Sequence, residues 1–107
     1  GSSGEAVYSA CKGGIAAFSK TLCRELVRHN IRLNTVCPGP TDTALLAEVT
    51  SGEAGKRIID AMTKAVPMRR IGTPDDYPGI VAFLVSDEAG FIVGQTISVS
   101  GGLTMNG

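Results

Sequence analysis

Apolar side chains recur every three or four residues through the first quarter of the chain. This spacing predicts an amphipathic helix from Val7 to about Arg28, and its apolar stripe consists of Cys11, Ile15, Phe18, Leu22 and Leu26. Gly13 and Gly14 lie inside the helix, where each costs about 1 kcal/mol relative to alanine. We therefore expect this helix to pack its backbone closely against another surface, and to end near Asn30.

Two later segments alternate between apolar and polar positions, as strands do. The first runs over residues 31–37 and stops at the rigid turn Pro38–Pro40. The second runs over residues 95–100 and stops at Gly101–Gly102. The alternation predicts two short strands, each followed by a tight turn.

The segment between the strands is predicted to be helical but interrupted. Residues 41–64 favour a helix that is broken at Ser51–Gly52 and Gly55, which suggests a mobile segment. A second helix is expected to start at Thr73, because threonine, Pro74 and Asp76 together match a capping box with proline at the first helical position. This helix closes near Ser86.

The order helix-strand-helix-helix-strand predicts an α/β fold. Two strands joined by long helical crossovers must run parallel, and parallel sheets need several strands that are covered on both faces. We expect residues 1–107 to form the C-terminal portion of a doubly wound, Rossmann-like domain, as part of a single domain rather than two. Residues 1–4 read either as a cloning scar or as a native loop, and we favour the loop.

Composition narrows the function by exclusion. The chain has 107 residues, and ten basic residues balance ten acidic ones, so no net charge favours nucleic acid or a membrane surface. No apolar stretch is long enough to span a bilayer. Three cysteines without metal-binding spacing indicate reduced thiols, a cytoplasmic protein and no metal site. Fourteen glycines indicate several tight turns or close backbone approaches.

Tyr8 and Lys12 are the most informative pair of residues. Four positions apart on a helix, they lie one turn apart on the same side. A neighbouring ammonium favours the ionised form of a phenol, and so makes the phenol a better proton donor near neutral pH. Such a pair suits the interconversion of a carbonyl and an alcohol. The same spacing also occurs by chance on solvated helix faces, so the pair alone does not establish a function.

Three motifs in the observed order resemble the short-chain dehydrogenase/reductase family. They are the helix opening at residues 8–14 (YSACKGG), the strand and turn at 34–39 (NTVCPG), and the strand and turn at 94–102 (GQTISVSGG). The resemblance extends from Tyr8 to the end of the chain. It implies an NAD(P)-dependent oxidoreductase that interconverts an alcohol and a ketone, with a homodimer or homotetramer as the assembly.

The resemblance also implies roles for individual residues. Tyr8 would be the general acid and base at the substrate oxygen, and Lys12 would bind the nicotinamide ribose and keep the tyrosine acidic. Pro38 and Gly39 would lie beside the nicotinamide. Thr41 and Thr43 would contact its carboxamide or the pyrophosphate. The interrupted segment, from about residue 42 to 66, would cover the substrate.

Some family motifs have no counterpart in these 107 residues. The glycine-rich phosphate turn, the Asn-Ala-Gly stretch and the catalytic serine are all missing, and Ser2 and Ser3 stand too close to Tyr8 to replace that serine. We therefore expect this chain alone to be inactive. The alternatives are a non-catalytic assembly module and a truncated remnant, each keeping the family's oligomerisation elements.

Finer assignments rest on the resemblance alone. The residues of the last two motifs are most similar to those of family members that act on hydroxyacyl thioesters or cyclic alcohols. The cofactor is expected to be NAD or NADP, with NAD preferred.

A cluster of basic residues has two interpretations, a solvated face or a handle for an anionic substrate. It consists of Arg69 and Arg70 together with Lys56, Arg57 and Lys64.

A cysteine nucleophile is the rival chemistry, and the sequence argues against it. Cys11 and His29 are 18 positions apart, which separates them by about 27 Å if they share one helix. Cys23 is nearer, but lies on a different face of that helix. The chain has a single histidine, so we expect no cysteine–histidine pair.

Overall fold

The computed structural model describes residues 3–106, so Gly1 and Ser2 of the expected amino-terminal loop lie outside the described residues. The described residues form α1 (Ala6–Leu26), β1 (Thr35–Pro38), α2 (Ala44–Val49), α3 (Gly52–Ala65), α4 (Pro78–Val85) and β2 (Thr96–Val99). Short 3-10 turns at Val27–His29, Pro74–Asp76 and Asp87–Ala89 connect them. The predicted order of elements is confirmed, and the fold is α/β.

α1 begins one residue earlier than predicted and passes into a 3-10 turn after Leu26. Asn30 ends this turn in the left-handed conformation (φ 59°), which asparagine tolerates better than most residues. Cys23 is the buried residue of α1. It packs against Gly94, where an added Cβ would lie 3.1 Å from the Cys23 Sγ. The carboxyl-terminal half of α1 is thereby anchored beside β2.

β1 and β2 form a parallel two-stranded sheet, as predicted, with Thr35 opposite Thr96 and Pro38 opposite Val99. The first strand is shorter than the predicted residues 31–37, because side chains supply bonds in front of it. Asn34 donates to the Ile92 carbonyl (2.9 Å) and accepts from the Gln95 amide (3.0 Å).

Arg32 ties the approach to β1 to the end of α4. Its two terminal nitrogens donate to the carbonyls of Leu84 (2.8 Å) and Ser86 (3.0 Å). These carbonyls lie at the carboxyl end of the helix, where the backbone has no further helical partners. A guanidinium is favourable there, because the helix dipole is negative at that end.

The interrupted segment consists of two helices with a corner at Thr50–Ser51. The predicted break at Ser51–Gly52 is confirmed, but Gly55 is not a break: it is buried inside α3. A Cβ at Gly55 would lie 1.7 Å from the Thr50 carbonyl oxygen. Glycine is needed here because the corner brings the two helices into backbone contact.

The chain after α3 returns to the end of β2. Val66 is 2% exposed and packs on Gly101, where an added Cβ would lie 2.7 Å from the Val66 Cγ1. The Met68 amide donates to the Gly101 carbonyl at 3.1 Å. Gly101 has a φ of 63°, a backbone conformation that is unfavourable for most residues other than glycine and asparagine. The residues that follow α3 thus pack against the predicted turn after β2.

The capping box predicted at Thr73 is confirmed, with Asp76 accepting from the Thr73 amide at 2.7 Å. The α-helix itself starts later than predicted, at Pro78, because the first residues form a 3-10 turn. The Asp76 carboxylate also accepts hydrogen bonds from both terminal nitrogens of Arg70, at 2.8 and 2.9 Å. The turn before α4 is therefore held by a hydrogen bond within it, from Thr73, and by the ion pair with Arg70.

The described residues bury little surface. They expose 7824 Å², whereas a compact monomer of 11.0 kDa exposes about 5,600 Å². The core consists of Cys23, Val66, Leu84 and Ala89, with Ser100 beside them. No described residue would contact a Cβ added at Gly13 or Gly14 within 4 Å, so the expected close packing of α1 is not made within residues 3–106. In that same range no helix has both the length and the apolar character of a membrane span.

The hydrogen bonds of the Asp76 carboxylate should make its contribution to the stability of the fold depend on pH. Hydrogen bonds from Arg70, and then from the Thr73 amide, hold the pKa of Asp76 well below its ordinary value. The unfolded chain therefore binds more protons in acid. The stabilisation is complete above the ordinary aspartate value of about 4 and is lost as the pH falls through the folded value.

We expect Asp76→Asn to lower the melting temperature of the whole protein near neutral pH, and to flatten its fall below about pH 4. Asp75→Asn is the matched control, because it removes the same charge one position away and leaves the Arg70 pair intact. Thermal melts between about pH 7 and pH 2 measure both effects. Parallel curves for wild type and Asp76→Asn would contradict this assignment.

Candidate active site

Tyr8 and Lys12 lie side by side in the first turns of α1. The Lys12 Nζ is 5.4 Å from the centroid of the Tyr8 ring, within the range of a cation–π interaction. Tyr8 is 61% exposed and Lys12 is also exposed. Among the described residues the Tyr8 hydroxyl makes no hydrogen bond. The pair is therefore open to a ligand.

The turn at Pro38–Gly39 is set by the end of the sheet. The Gly39 amide donates to the Val99 carbonyl at 3.0 Å and continues the ladder by one residue. A Cβ at Gly39 would lie 2.8 Å from the Cα of Ser100 and 2.9 Å from its Cβ. Only glycine lets the two backbone segments, at the ends of β1 and β2, pass this closely.

Thr41 is brought beside Gly39 and Tyr77. Its hydroxyl donates to the Gly39 carbonyl (2.8 Å) and is also hydrogen-bonded to the Tyr77 hydroxyl. The backbone on either side of Thr41 pairs with Gly72, since the Gly72 amide donates to Pro40 (2.8 Å) and the Asp42 amide donates to Gly72 (2.8 Å). The turn is thus supported by the segment that precedes α4.

The backbone of Thr41 itself remains available. In a parallel bridge, the residue between the two bonded neighbours turns its own N–H and C=O to the other side. Within the part of the chain that the structure describes, neither group has a hydrogen-bond partner. One free donor and one free acceptor on the same residue complement a primary amide, which offers the opposite pair.

Thr43 has a local structural role. Its hydroxyl accepts from the Leu46 amide at 3.3 Å and caps α2. The hydroxyl proton remains free for a ligand, because a threonine hydroxyl can accept and donate at once. Thr43 is exposed, two residues after Thr41.

The two arginines are engaged within the chain. Arg70 pairs with Asp76, and Arg69 donates to the Lys64 carbonyl at 2.8 Å. Each guanidinium thus has a partner within the chain for part of its five N–H donors. Both guanidinium groups remain exposed and keep further N–H donors, so the solvated face and the handle for an anionic substrate both stay open.

No rival metal site is found among residues 3–106, where no three histidine, cysteine, aspartate or glutamate side chains cluster. His29 accepts from the Arg28 Nε at 3.2 Å. The three cysteines are free thiols, with Cys11 exposed, Cys23 buried and Cys37 half-buried.

Sequence reasoning missed Tyr77, Ser100, Arg32 and Asn34. Tyr77 and Ser100 touch the turn from elements that are 36 or more residues away along the chain, so no local pattern points to them. The polar residues Arg32 and Asn34 inside a predicted strand were the one available signal, since half-buried polar side chains require partners.

Comparison with known proteins gives a consistent result. Residues 1–104 match a family model described as "Enoyl-(Acyl carrier protein) reductase". Human (3R)-3-hydroxyacyl-CoA dehydrogenase is 38% identical over 105 residues, which are 98% of this chain and 38% of that protein. Acetoacetyl-CoA reductase of Shinella zoogloeoides is 42% identical over 102 residues, which are 95% of this chain and 41% of that protein.

Solved structures agree. A short-chain dehydrogenase/reductase of Brucella melitensis, described as a glucose/ribitol dehydrogenase, superposes with a TM-score of 0.85 at 34% identity, covering 99% of this chain and 41% of that one. The L-sorbose reductase of Gluconobacter frateurii, solved with NADPH and L-sorbose, has a TM-score of 0.84 at 27% identity, covering 94% and 41%. The chain spans about two fifths of the length of these relatives.

The approach of Gly39 to Ser100 yields a test of the turn. Gly39→Ala should destabilise the whole protein by about 1–3 kcal/mol, because the new methyl group forces the backbones apart. Urea denaturation measures the loss. Gly79→Ala is the matched control, since nothing lies within 4 Å of its added Cβ and alanine is the better helix former. Unchanged stability of Gly39→Ala would contradict the packing described.

Proposed function

This chain belongs to the short-chain dehydrogenase/reductase family, and on that premise we propose that the whole protein is an NAD(P)-dependent oxidoreductase. The reaction interconverts an alcohol and a ketone. The observation that carries the proposal is the exposed pair on α1, with the Lys12 ammonium 5.4 Å from the Tyr8 ring centroid. Neither side chain is used to hold the described part of the fold together.

Tyr8 is the proposed general acid and base. During reduction its hydroxyl donates a proton to the carbonyl oxygen of the substrate, and the phenolate that remains is stabilised by the ammonium of Lys12. During oxidation the phenolate takes the proton of the substrate hydroxyl. The two residues are one turn apart on α1, which places the cation beside the phenol.

Two groups of residues, the pair on α1 and the turn after β1, are the proposed contacts for the nicotinamide end of the cofactor. Lys12 and Tyr8 would hold the ribose, Pro38 and Gly39 would line the ring, and the free N–H and C=O of Thr41 would pair with the carboxamide. Thr43 would contribute its hydroxyl proton. When bound, the nicotinamide supplies the hydride for reduction or receives it in oxidation.

The choice between NAD and NADP follows from less direct support. We propose NAD, from the resemblance of the motifs. The sorbose reductase structure contains NADPH, so the alternative cofactor belongs in every assay. Binding titrations with both reduced cofactors distinguish the two.

For the substrate we propose a hydroxyacyl thioester, with a cyclic alcohol as the second class. The support is the activity that gives two relatives their names, the hydroxyacyl-CoA dehydrogenase and the acetoacetyl-CoA reductase. α2 and α3 would cover the substrate, because they follow the turn directly and expose apolar side chains such as Leu45 and Ile58.

We further propose that residues 1–107 supply the catalytic, substrate-side part of one dinucleotide-binding domain in a cytoplasmic homo-oligomer, either a dimer or a tetramer. The exposed apolar side chains of α1 and α4 support association, and they include Val7 (79% exposed), Phe18 (63%) and Val85 (76%). The free thiols are compatible with a reducing compartment.

Substitution of the pair tests the chemistry in the whole protein. Tyr8→Phe should lower kcat for reduction of acetoacetyl-CoA by about 10²–10⁴-fold, which is the usual contribution of a positioned acid. Cofactor binding should change far less. Lys12→Met should lower kcat and also weaken binding of NADH or NADPH. Steady-state kinetics and fluorescence titration measure the two effects separately.

Lys20→Met is the matched control, because Lys20 is an exposed lysine two turns further along α1. Wild-type turnover by Tyr8→Phe would contradict the proposed role. A wild-type protein that binds neither cofactor, and whose oligomer dissociates on Phe18→Asp, would instead support the assembly module.

A further inference from the structure

We propose that Tyr77 is a positioning residue for the cofactor, acting through Thr41. Its hydroxyl holds the Pro38–Thr41 turn in the conformation that presents the Thr41 backbone to the nicotinamide amide. This inference rests on the proposed function, because it concerns the same cofactor site. It assigns a role to a side chain that stands outside all three sequence motifs.

The direction of the hydrogen bonds follows from the number of protons. A threonine hydroxyl has one proton and two lone pairs, and Thr41 uses its proton on the Gly39 carbonyl at 2.8 Å. Tyr77 must then be the donor in the bond between the two hydroxyls. A directed chain runs from Tyr77 through Thr41 to Gly39.

Tyr77 is itself held firmly. It follows the capping box directly, precedes Pro78, and its carbonyl accepts from the Val81 amide at 3.3 Å. Its hydroxyl lies against Gly72, where an added Cβ would be 2.7 Å away. The tyrosine is half-buried, so the hydroxyl has a fixed position from which to support the turn.

Among residues 3–106, Tyr77 is the side chain from outside the turn that is hydrogen-bonded to the Thr41 hydroxyl. A cavity of about 170 Å³ lies beneath the turn, lined by Pro40, Tyr77, Val99 and Ser100 among others. Tyr77, one of the residues that line the cavity, carries the hydroxyl that is hydrogen-bonded to Thr41. Without it, the bond that the Thr41 side chain keeps within the described part of the chain is the one to Gly39, in the same turn.

The consequence for binding is selective. Gly72 pairs with Pro40 and Asp42 through the backbone, so loss of the Tyr77 hydroxyl loosens Thr41 without removing the bridge. We expect weaker binding of the nicotinamide end of the cofactor. Proton transfer by Tyr8 on α1 should continue once the cofactor is bound.

The experiment compares Tyr77→Phe with wild type in the whole protein, using whichever of NADH and NADPH the wild type binds. The dissociation constant of that cofactor should rise by about three- to ten-fold, as for one lost hydrogen bond. Binding of ADP-ribose, which lacks the nicotinamide, should be unchanged. With acetoacetyl-CoA as substrate, the KM for the cofactor should rise and kcat should stay within about two-fold.

Two further variants separate this role from a general structural one. Thr41→Val removes the acceptor, so the double variant should bind the cofactor no more weakly than Thr41→Val alone. If Tyr77→Phe does not fold, Thr41→Val still tests the contact through the same comparison of cofactor and ADP-ribose. Ser86→Ala is the control, since it removes a hydroxyl that bonds the Phe83 carbonyl at the other end of α4.

The outcomes are distinguishable. A wild type without cofactor binding or turnover defeats the proposed function. An active wild type, with Tyr77→Phe binding the cofactor as tightly, overturns the role of Tyr77. Equal weakening of cofactor and ADP-ribose overturns it as well, because a general distortion would produce that pattern.

Discussion

Where β1 and β2 end side by side, the backbone of Gly39 passes so close to Ser100 that no Cβ fits between them. This approach fixes the point at which the chain leaves the sheet. The position of Thr41 follows from it, as does the pairing of the next residues with Gly72. A two-stranded sheet is weak by itself, so the geometry of the turn depends on contacts that lock the strand ends.

Those contacts come from distant parts of the chain. Asn34 joins the start of β1 to the loop before β2, and Arg32 joins it to the end of α4. Asn34 satisfies backbone groups just before the short ladder, and Arg32 satisfies carbonyls at the carboxyl end of α4. On the opposite side, Val66 seals the turn at Gly101. The sheet is therefore held by polar bonds near the amino ends of its strands and by packing at the carboxyl end of β2.

α1 differs from these elements in how it is held. Its second half is anchored through Cys23 at Gly94, while its first turns carry Tyr8 and Lys12 into solvent. Gly13 and Gly14 lie at the junction with open space around them. A pair on a rigid, exposed helix end is free for chemistry because it has no structural duty in the described residues.

The amino-acid sequence was enough to predict the type and order of the elements, the capping box at Thr73 and the spacing of Tyr8 and Lys12, because each depends on neighbours within a few residues. The parallel direction of the two strands followed from the long connection between them. Helix periodicity, proline and glycine act locally, so they can be read along the chain. The boundaries were less accurate: β1 begins four residues late, and Gly55 lies inside a helix. Only the tertiary structure brought Tyr77 to Thr41, Ser100 to Gly39 and Arg32 to α4, since these contacts join residues more than thirty positions apart. Their partners are chosen by how the elements pack, and no local pattern encodes that choice.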